Sequence, residues 1–269
     1  MPELPEVEIV KLNLVQALRQ GDEIENIEFL SPKLRTNLSL PKDIRWPLNI
    51  KKLERRSKYI LFHFPGGFLL SHLGMTGSWR IEKTVQLQKH DHVILRWRKG
   101  THWIYNDPRR FGIFEFGVNA LTNKWLAKLG PEPLDKDFDF RIFLQTLKSS
   151  QRSIKVLLMD AKVIVGVGNI YACEALFKAK INPFAKASEL SSQKLELLLR
   201  EVQDILQAAI KKGGSTIDSF KNVSGKKGEY QKQHLVYGRE GEKCVVCSQV
   251  IRRKVQVGRS TFWCPRCQK

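Results

Sequence analysis

Acidic residues are scarce in this chain: 27 Asp and Glu stand against 46 Lys and Arg among 269 residues, a formal net charge of +19. Long apolar runs are missing altogether. None approaches the roughly 18–20 uncharged residues a membrane-spanning helix needs, which excludes a helical membrane protein. The start, Met1-Pro2-Glu3-Leu4-Pro5-Glu6, lacks the basic then apolar order of a secretory signal. There is no internal repeat and no low-complexity tract, and a hydrophobic content of 42% excludes wholesale disorder. Cysteine is nearly absent, with five residues in all, four of them between positions 244 and 267. These absences predict a soluble, intracellular protein of one large or two ordinary domains.

The positive surplus needs a counterpart, because self-repulsion destabilises a compact state unless a polyanion neutralises it. Residues 1–130 hold 21 basic and 13 acidic side chains, and residues 131–269 hold 25 and 14. A surplus spread over both halves suits a protein that clamps nucleic acid. A merely solvated basic surface, or binding to anionic membranes, fits the charge too.

The cysteines carry a sharper pattern. Cys244-x2-Cys247 and Cys264-x2-Cys267 are separated by sixteen residues, the spacing of a four-thiolate tetrahedral zinc site. Each CxxC turn aims two sulfurs at one point. The stretch between them, with Val250-Ile251 and Val255-Gln256-Val257 around Arg252-Arg253-Lys254, reads as a short hairpin that brings the knuckles together. Two disulfides are the alternative, but nothing indicates an oxidising compartment. Four thiolates leave no open coordination position, so such a zinc is structural. Cys173 lies in an apolar helical pattern and reads as a buried small hydrophobe.

Residues 5–19 have helical spacing (Val7, Val10, Leu14, Leu18) with Gly21 beyond the end. From about 23 to 117 the pattern turns to short β-prone segments: 24–30, 59–64, 68–71, 78–81, 93–97, 103–105 and 113–116. Gly, Pro and Asn-Asp clusters punctuate them, as in a β-sandwich or barrel. Gly130-Pro131-Glu132-Pro133 has the composition of a linker. Helices are predicted over 138–147, 154–160, 169–179 and 189–211, the last with Leu195, Leu198, Val202, Ile205 and Ala209 on one face and Gly213-Gly214 at its end. Residues 219–234 are polar and rich in Gly and Lys, and predict a mobile loop.

Pro2 starts a helix well, and that alone is unremarkable. If Met1 is removed, which a small second residue generally permits, Pro2 carries a free secondary amine. α-Amino groups titrate near pH 8, so such an amine is substantially unprotonated at neutrality and can attack an electrophilic carbon to form an iminium. Glu3 and Glu6 lie beside it, and either can serve as a general acid. Acids at a positive helix start explain the same two residues equally well.

Met1-Pro2-Glu3-Leu4-Pro5-Glu6-Val7-Glu8 at one end and the four-cysteine finger at the other resemble bacterial formamidopyrimidine-DNA glycosylase. Further motifs fall between them in the family's order: Ser71–Ser78 (SHLGMTGS), Lys89-His90-Asp91-His92, Asp107–Gly112 (DPRRFG), Gly130-Pro131-Glu132-Pro133, Gly166–Ala172 (GVGNIYA) and Gln233–Gly238 (QHLVYG). The resemblance covers the whole chain, and its strength lies in the number and order of the motifs. Ile9 departs from the small polar residue usual at that place.

The resemblance implies a bifunctional enzyme of base excision repair. It would excise oxidised purines (8-oxoguanine, formamidopyrimidines) from damaged double-stranded DNA and then act as an apurinic/apyrimidinic lyase. It implies that Pro2 attacks C1′, that Glu3 is the acid that opens the sugar, that Lys58 moves a proton in β-elimination, and that Arg259 grips phosphate for δ-elimination. Because a base inside a duplex must be flipped out to be reached, Met75, Arg109 and Phe111 match the residues that fill the void. Read without the family, Met75 and Phe111 are core residues and Arg109 binds phosphate. Gly166-Val167-Gly168-Asn169 before a helix suits phosphate binding, with Asn169 on the DNA backbone. Lys155 matches a lysine near the lesion, and His72 and His90 match residues near phosphates. The family's lysine near position 150 is replaced by Ser149-Ser150, leaving Arg152 to take over that contact. Residues 219–230 match a loop that folds over the flipped purine.

The expected fold is α+β with two domains: an N-terminal β-sandwich with a leading helix, and a C-terminal helical helix-two-turn-helix domain ending in the four-Cys zinc finger, with DNA in the cleft between. The expected segments are 1–130, 131–223 and 224–269. One structural zinc on Cys244, Cys247, Cys264 and Cys267, no organic cofactor, no membrane, a monomer, and a cytoplasmic, nucleoid-associated bacterial setting complete the expectation. An endonuclease VIII-like glycosylase for oxidised pyrimidines is the nearest alternative, but those proteins begin Pro-Glu-Gly-Pro-Glu, and position 4 here is Leu. A non-catalytic zinc-finger DNA-binding protein would have no use for Pro2, Glu3 and Lys58 together.

Overall fold

The computed structural model describes residues 1–19, 21–215, 223, 225 and 227–269. The chain forms two compact units: residues 1–127 with 213–229, and residues 128–212 with 230–269.

The first unit opens with helix α1 (Leu4–Ala17). Pro5 falls in its first turn, where its missing N–H costs nothing, and the Glu6 carboxylate reaches back to accept the Glu3 amide at 2.8 Å. Leu4, Val7, Val10 and Leu14 recur at helical spacing and are buried. Nine strands follow: β1 (Glu23–Phe29), β2 (Leu48–Asn49), β3 (Lys52–Arg56), β4 (Tyr59–Phe64), β5 (Gly67–His72), β6 (Ser78–Glu82), β7 (Asp91–Trp97), β8 (His102–Asn106) and β9 (Ile113–Gly117). They form two antiparallel sheets, ordered β2-β1-β7-β8-β6 and β3-β4-β5-β9.

The sheets face each other across one core. Alternate residues point inward: Val93, Leu95 and Trp97 of β7 and Trp103 and Tyr105 of β8 from one sheet, Ile60 and Phe62 of β4 and Phe114 of β9 from the other. Phe62 meets Trp79 and Trp103 with ring centroids 5.8 and 6.2 Å apart, and Trp79 meets Phe114 at 6.1 Å. Each such aromatic removes enough apolar surface from water to contribute about 2 kcal/mol. Strand β3 escaped prediction because its sequence, Lys-Leu-Glu-Arg-Arg, buries only Leu53. It is an edge strand, so the apolar alternation of a central strand is not required of it.

The second unit holds α2 (Phe140–Lys148), α3 (Ile154–Leu158), α4 (Asn169–Lys178), α5 (Ser192–Lys211) and a terminal hairpin, β10 (Arg252–Gln256) and β11 (Arg259–Trp263). Caps set the starts more tightly than periodicity does. Asp139 accepts the Arg141 and Ile142 amides, so α2 begins at Phe140 rather than 138. Ser191 accepts the Lys194 amide, so α5 begins at Ser192 rather than 189. The predicted face of α5 is its buried face, widened by Leu199 and Leu206.

The 130–133 segment is not a free linker. The Gly130 amide bonds to Ala161 O at 2.7 Å, the Val165 amide to Pro131 O at 3.1 Å, and Gln203 Nε2 donates to Pro133 O at 2.8 Å. A Cβ on Gly130 would lie 2.5 Å from Lys162 O, so only glycine allows the approach. The segment expected over 131–223 is also divided differently, since residues 213–215 pack with the first unit. There the Ser215 amide donates to Glu6 Oε1 at 2.8 Å. In the expected lesion loop, residues 219–222, 224 and 226 lie outside the described residues. Its last member, Tyr230, is buried in the second unit, with ring centroids 5.9 Å from both Tyr171 and His234. Burial pushes its phenol up to about 12.

Glu174 of α4 is the acid on which the second unit's packing turns. It is 1% exposed, and its carboxylate accepts the amides of Leu235, Val236 and Tyr237 at 2.8–3.0 Å. Burial pushes its carboxyl upward while the three amides pull it down. Glu174→Ala leaves those donors without this acceptor. We expect it to lower stability by about 3–5 kcal/mol in denaturant titrations, and Glu174→Gln, which keeps one carbonyl oxygen, by less.

Candidate active site and nucleic-acid interface

Pro2 and Glu3 are buried at the start of α1, and the turn they occupy is held from below. Both oxygens of buried Glu6 are engaged by backbone, Oε2 by the Glu3 amide and Oε1 by the Ser215 amide. Of the two acids beside Pro2, Glu6 is thereby a fixture of the turn.

Lys58 sits in the two-residue turn between β3 and β4, where Ser57 takes a left-handed φ of 57°. Arg55 ties that turn to α1. Its Nε donates to Glu8 Oε2 at 2.9 Å, and its Nη1 to Ser57 O at 3.0 Å. The helix that follows Pro2 and Glu3 and the turn that carries Lys58 are therefore braced by one guanidinium, the rigid support a multi-residue site requires.

Next to Lys58, Tyr59 pairs with His72 across β4 and β5, with ring centroids 4.8 Å apart. His72 Nδ1 accepts the Gly74 amide at 3.0 Å, which places the proton of the neutral ring on Nε2. Burial, with Lys58 and Arg35 nearby, lowers its pKa to about 4. At neutral pH it can therefore offer a phosphate one N–H and no charge. His90 has a left-handed φ of 74°, in a turn braced by Asp91. That carboxylate accepts from Arg80 Nη1 and Nη2 at 2.5 and 2.6 Å, from Asn106 Nδ2 at 2.8 Å and from the Gln88 amide at 2.7 Å.

Met75 and Phe111, which read as core residues when taken alone, are outside the core. Met75 is half-buried, Phe111 is 46% exposed, and the Arg109 guanidinium lies over the Phe111 ring at 4.8 Å. An exposed aromatic carrying a cation on its face is available to stack on a base.

In the second unit, Asn169 opens α4 after Gly168. Its Nδ2 donates to Ser260 O of β11 at 2.8 Å, while Oδ1 is buried without a hydrogen-bond partner among the described residues. Lys155, 1% exposed, reaches the same carbonyl at 3.5 Å. Asn169, Gly238, Arg253, Arg259 and Ser260 line a recess of about 600 Å³. Arg253, which the sequence did not single out, brings a second guanidinium and is steadied by Ser260 Oγ at 3.0 Å. Two guanidiniums beside a helix start suit a phosphate. Arg152 stands elsewhere, paired with Asp160 at 2.8 Å.

The four cysteine sulfurs converge within 4.8 Å of one another, with Cys244–Cys267 at 3.9 Å and Cys247–Cys264 at 3.4 Å. Tetrahedral Zn–S bonds of about 2.3 Å imply sulfur–sulfur edges of about 3.8 Å, so the residues fit one zinc ion and no open position remains. The last knuckle is fixed by buried Gln268, which accepts the Cys264 amide and donates to Ile181 O, each at 2.9 Å. Arg259 follows the turn at 257–258 of the hairpin that the zinc site closes.

The chain matches three family models: "Formamidopyrimidine-DNA glycosylase N-terminal domain" over residues 1–114, "Formamidopyrimidine-DNA glycosylase H2TH domain" over 129–221, and "Zinc finger found in FPG and IleRS" over 241–269. Among curated relatives, the formamidopyrimidine-DNA glycosylase of Bdellovibrio bacteriovorus is 44% identical over the full length of both chains. That of Acinetobacter baylyi is 43% identical over all of this chain and 98% of its own. Among solved structures, a Lactococcus lactis FPG mutant complexed with a Fapy-dG-containing DNA superposes with a TM-score of 0.90 at 35% identity, covering both chains fully. MutM complexed with carbocyclic 8-oxo-G-containing DNA gives 0.89 at 36%, again over both chains.

Two outcomes test the site's construction. Elemental analysis is expected to find one zinc per chain, and chelation to abolish hydrogen-exchange protection of the β10–β11 amides while leaving β4–β5 protected. The depressed pKa of His72 has a definite sign. Its ordinary value of 6.5 lies above the folded value of about 4, so the unfolded chain takes the proton first. Its contribution is complete above pH 6.5 and falls as pH drops toward 4, by up to roughly 3 kcal/mol. In denaturant titrations from pH 7 to 4, His72→Gln is expected to flatten that slope.

Proposed function

This chain belongs to the formamidopyrimidine-DNA glycosylase family, and from that premise we propose how its residues divide the work. The enzyme is a DNA glycosylase that repairs oxidised purines, with the apurinic/apyrimidinic lyase activity of its family. The observation that carries the assignment of roles is the brace in the first unit. Glu8, on the helix that follows Pro2 and Glu3, holds Arg55, and Arg55 holds the Ser57 carbonyl beside Lys58.

With Met1 removed, the Pro2 nitrogen lone pair attacks C1′ of the damaged nucleoside. The C1′–N bond breaks, and its electron pair leaves with the base, which gains a proton. Glu3 protonates the sugar ring oxygen as the C1′–O4′ bond opens, and nitrogen and C1′ become an iminium. The iminium acidifies the C2′ proton. Lys58 assists its transfer as the C3′–O bond breaks and the 3′ phosphate departs. Loss of a second proton, from C4′, expels the 5′ phosphate, with Arg259 gripping phosphate. Zinc, when bound, supplies no reacting position; its thiolates hold the β10–β11 turn from which Arg259 projects.

Met75, Arg109 and Phe111 fill the space left by the flipped nucleotide, and their half-buried or exposed state supports that use over a core role. His72, His90, Lys155 and Asn169 bind the DNA backbone or approach the lesion. Asn169 and Arg259 border one polar recess, which supports a shared phosphate. Arg152 serves as the cation near position 150 once DNA competes for the guanidinium that Asp160 now holds. Each chain carries a complete set of these residues, which supports a monomer, and the net charge of +19 supports residence on the nucleoid in the cytoplasm.

Borohydride trapping on a duplex with one 8-oxoguanine opposite cytosine tests the chemistry. A crosslink mapped by mass spectrometry to Pro2, with the base lost, is expected. Glu3→Gln is expected to slow base release about 10²–10⁴-fold in single-turnover assays. A crosslink only on a thymine-glycol duplex would move the enzyme to oxidised pyrimidines. Tight binding with no crosslink to a processed N-terminus would remove Pro2 as the nucleophile.

A further inference from the structure

Asp107 is fully buried in the first unit, and none of the roles above uses it. Its carboxylate gathers donors from two separate loops. Oδ1 accepts the Thr76 hydroxyl at 2.6 Å and the Arg109 amide at 3.3 Å, and Oδ2 accepts the Gly112 amide at 2.7 Å. The Arg109 amide is also 3.3 Å from Thr76 Oγ1. One loop carries Met75 beside Thr76; the other carries Arg109 and Phe111 between Asp107 and Gly112.

The backbones of the two loops touch. A Cβ on Gly74 would fall 2.5 Å from the Phe111 carbonyl carbon, and Gly74 itself has a φ of 59°. Cβ atoms on Gly77 and Gly112 would fall 2.1 and 1.9 Å from the Tyr105 hydroxyl, which donates to His72 O. The Asp107 amide is fixed to His90 O and its carbonyl lies 3.0 Å from His92 Nε2, so the aspartate is anchored in the sheet. Neither loop can shift without breaking a bond to the other.

We propose that Thr76 and Asp107 are positioning residues that lock these loops into one rigid wedge, so that Met75, Arg109 and Phe111 enter the duplex as a unit. The proposal rests on the void-filling reading of those three side chains. A carboxylate is needed because it alone offers acceptors to all the donors; an asparagine at 107 would turn an NH2 toward one of them. With the loops ordered beforehand, their conformational entropy is not lost at the moment the base leaves the stack.

Asp107→Asn risks the fold, so the test rests on half-buried Thr76. Stopped-flow fluorescence of a 2-aminopurine placed beside an 8-oxoguanine reports the loss of stacking as the wedge enters. Thr76→Val is expected to slow that step about tenfold, the effect of losing one hydrogen bond to a charged acceptor, and Thr76→Ser to stay within about twofold of the parent. In a Met75→Ala, Phe111→Ala background, where Arg109 alone is left to position, adding Thr76→Val is expected to change the rate less than about twofold. A Thr76→Val enzyme as fast as the parent, or a Thr76→Ser enzyme as slow as Thr76→Val, overturns the clamp. So does the same penalty in both backgrounds. If the Met75→Ala, Phe111→Ala enzyme itself matches the parent, the void-filling reading fails and the clamp falls with it. If that enzyme is slow while Thr76→Val is not, the clamp alone fails.

Discussion

Chain termini fray unless something ties them down, and the nucleophile proposed at the second residue cannot tolerate fraying. The Glu6 carboxylate meets that constraint. It lies 2% exposed at the first turn of α1, with one oxygen on the Glu3 amide and the other on the Ser215 amide. A buried carboxylate saturated by backbone donors offsets much of its desolvation and leaves the turn few alternatives. Leu4 and Val7 bury the same turn from the apolar side. Everything assigned to Pro2 and Glu3 presupposes this anchorage. The same contact explains why residues 213–215, which follow α5 in sequence, pack with the first unit.

Several other residues assigned to the site follow a common plan: each sits on or beside a short turn that is held by groups to which no chemistry is assigned. Arg55 holds the Lys58 turn, Asp91 the His90 turn, Asp107 the Arg109–Phe111 turn, and the zinc knuckles the Arg259 hairpin. A cationic surface for a polyanion poses a difficulty here, because buried acids close to it repel the ligand. Two buried acids of the first unit, Asp107 and Asp91, resolve it by being spent internally. Asp107 faces a hydroxyl and amides, and Asp91 faces Arg80.

Much of this was legible in the residues, for identifiable reasons. The four cysteines declare themselves because CxxC geometry is local, and β4 and α5 because apolar alternation and a 3.6-residue period are local too. Pro2 and Glu3 could be read from the chemistry of a free proline amine beside acids, whereas Lys58 entered only as a member of a motif, since nothing in the spacing links position 58 to position 2. What stayed hidden depends on contacts distant in sequence. Glu174 is one polar residue in the apolar run of α4, and its three partners lie sixty residues on. Gly130-Pro131-Glu132-Pro133 has the composition of a linker, yet packs against 161–165. Strand β3, polar and at an edge, carries no periodic signal at all. Asp107 was visible inside its motif, but its pairing with Thr76 was not.

Backbone strain draws the same map independently. Among the described residues, six that are not glycine have positive φ: Ser57, His90, Arg110, Lys180, Ser248 and Val257. Each costs about 1–2 kcal/mol relative to a relaxed conformation, more for a β-branched residue such as Val257. Lys180 follows the end of α4 and Ser248 follows a zinc ligand. The other four adjoin or are residues assigned to the reaction or to DNA: Ser57 beside Lys58, His90 itself, Arg110 between Arg109 and Phe111, and Val257 two residues before Arg259. A glycine or asparagine at these turns would be easier to accommodate. Their persistence in strained form means that the surrounding bonds over-determine the turn. At Ser57, His90 and Arg110 those bonds are the ones Arg55, Asp91 and Asp107 provide. Strain and brace are thus two views of one arrangement, in which rigid sheets and a metal-closed hairpin hold reactive side chains at their tips before any substrate arrives.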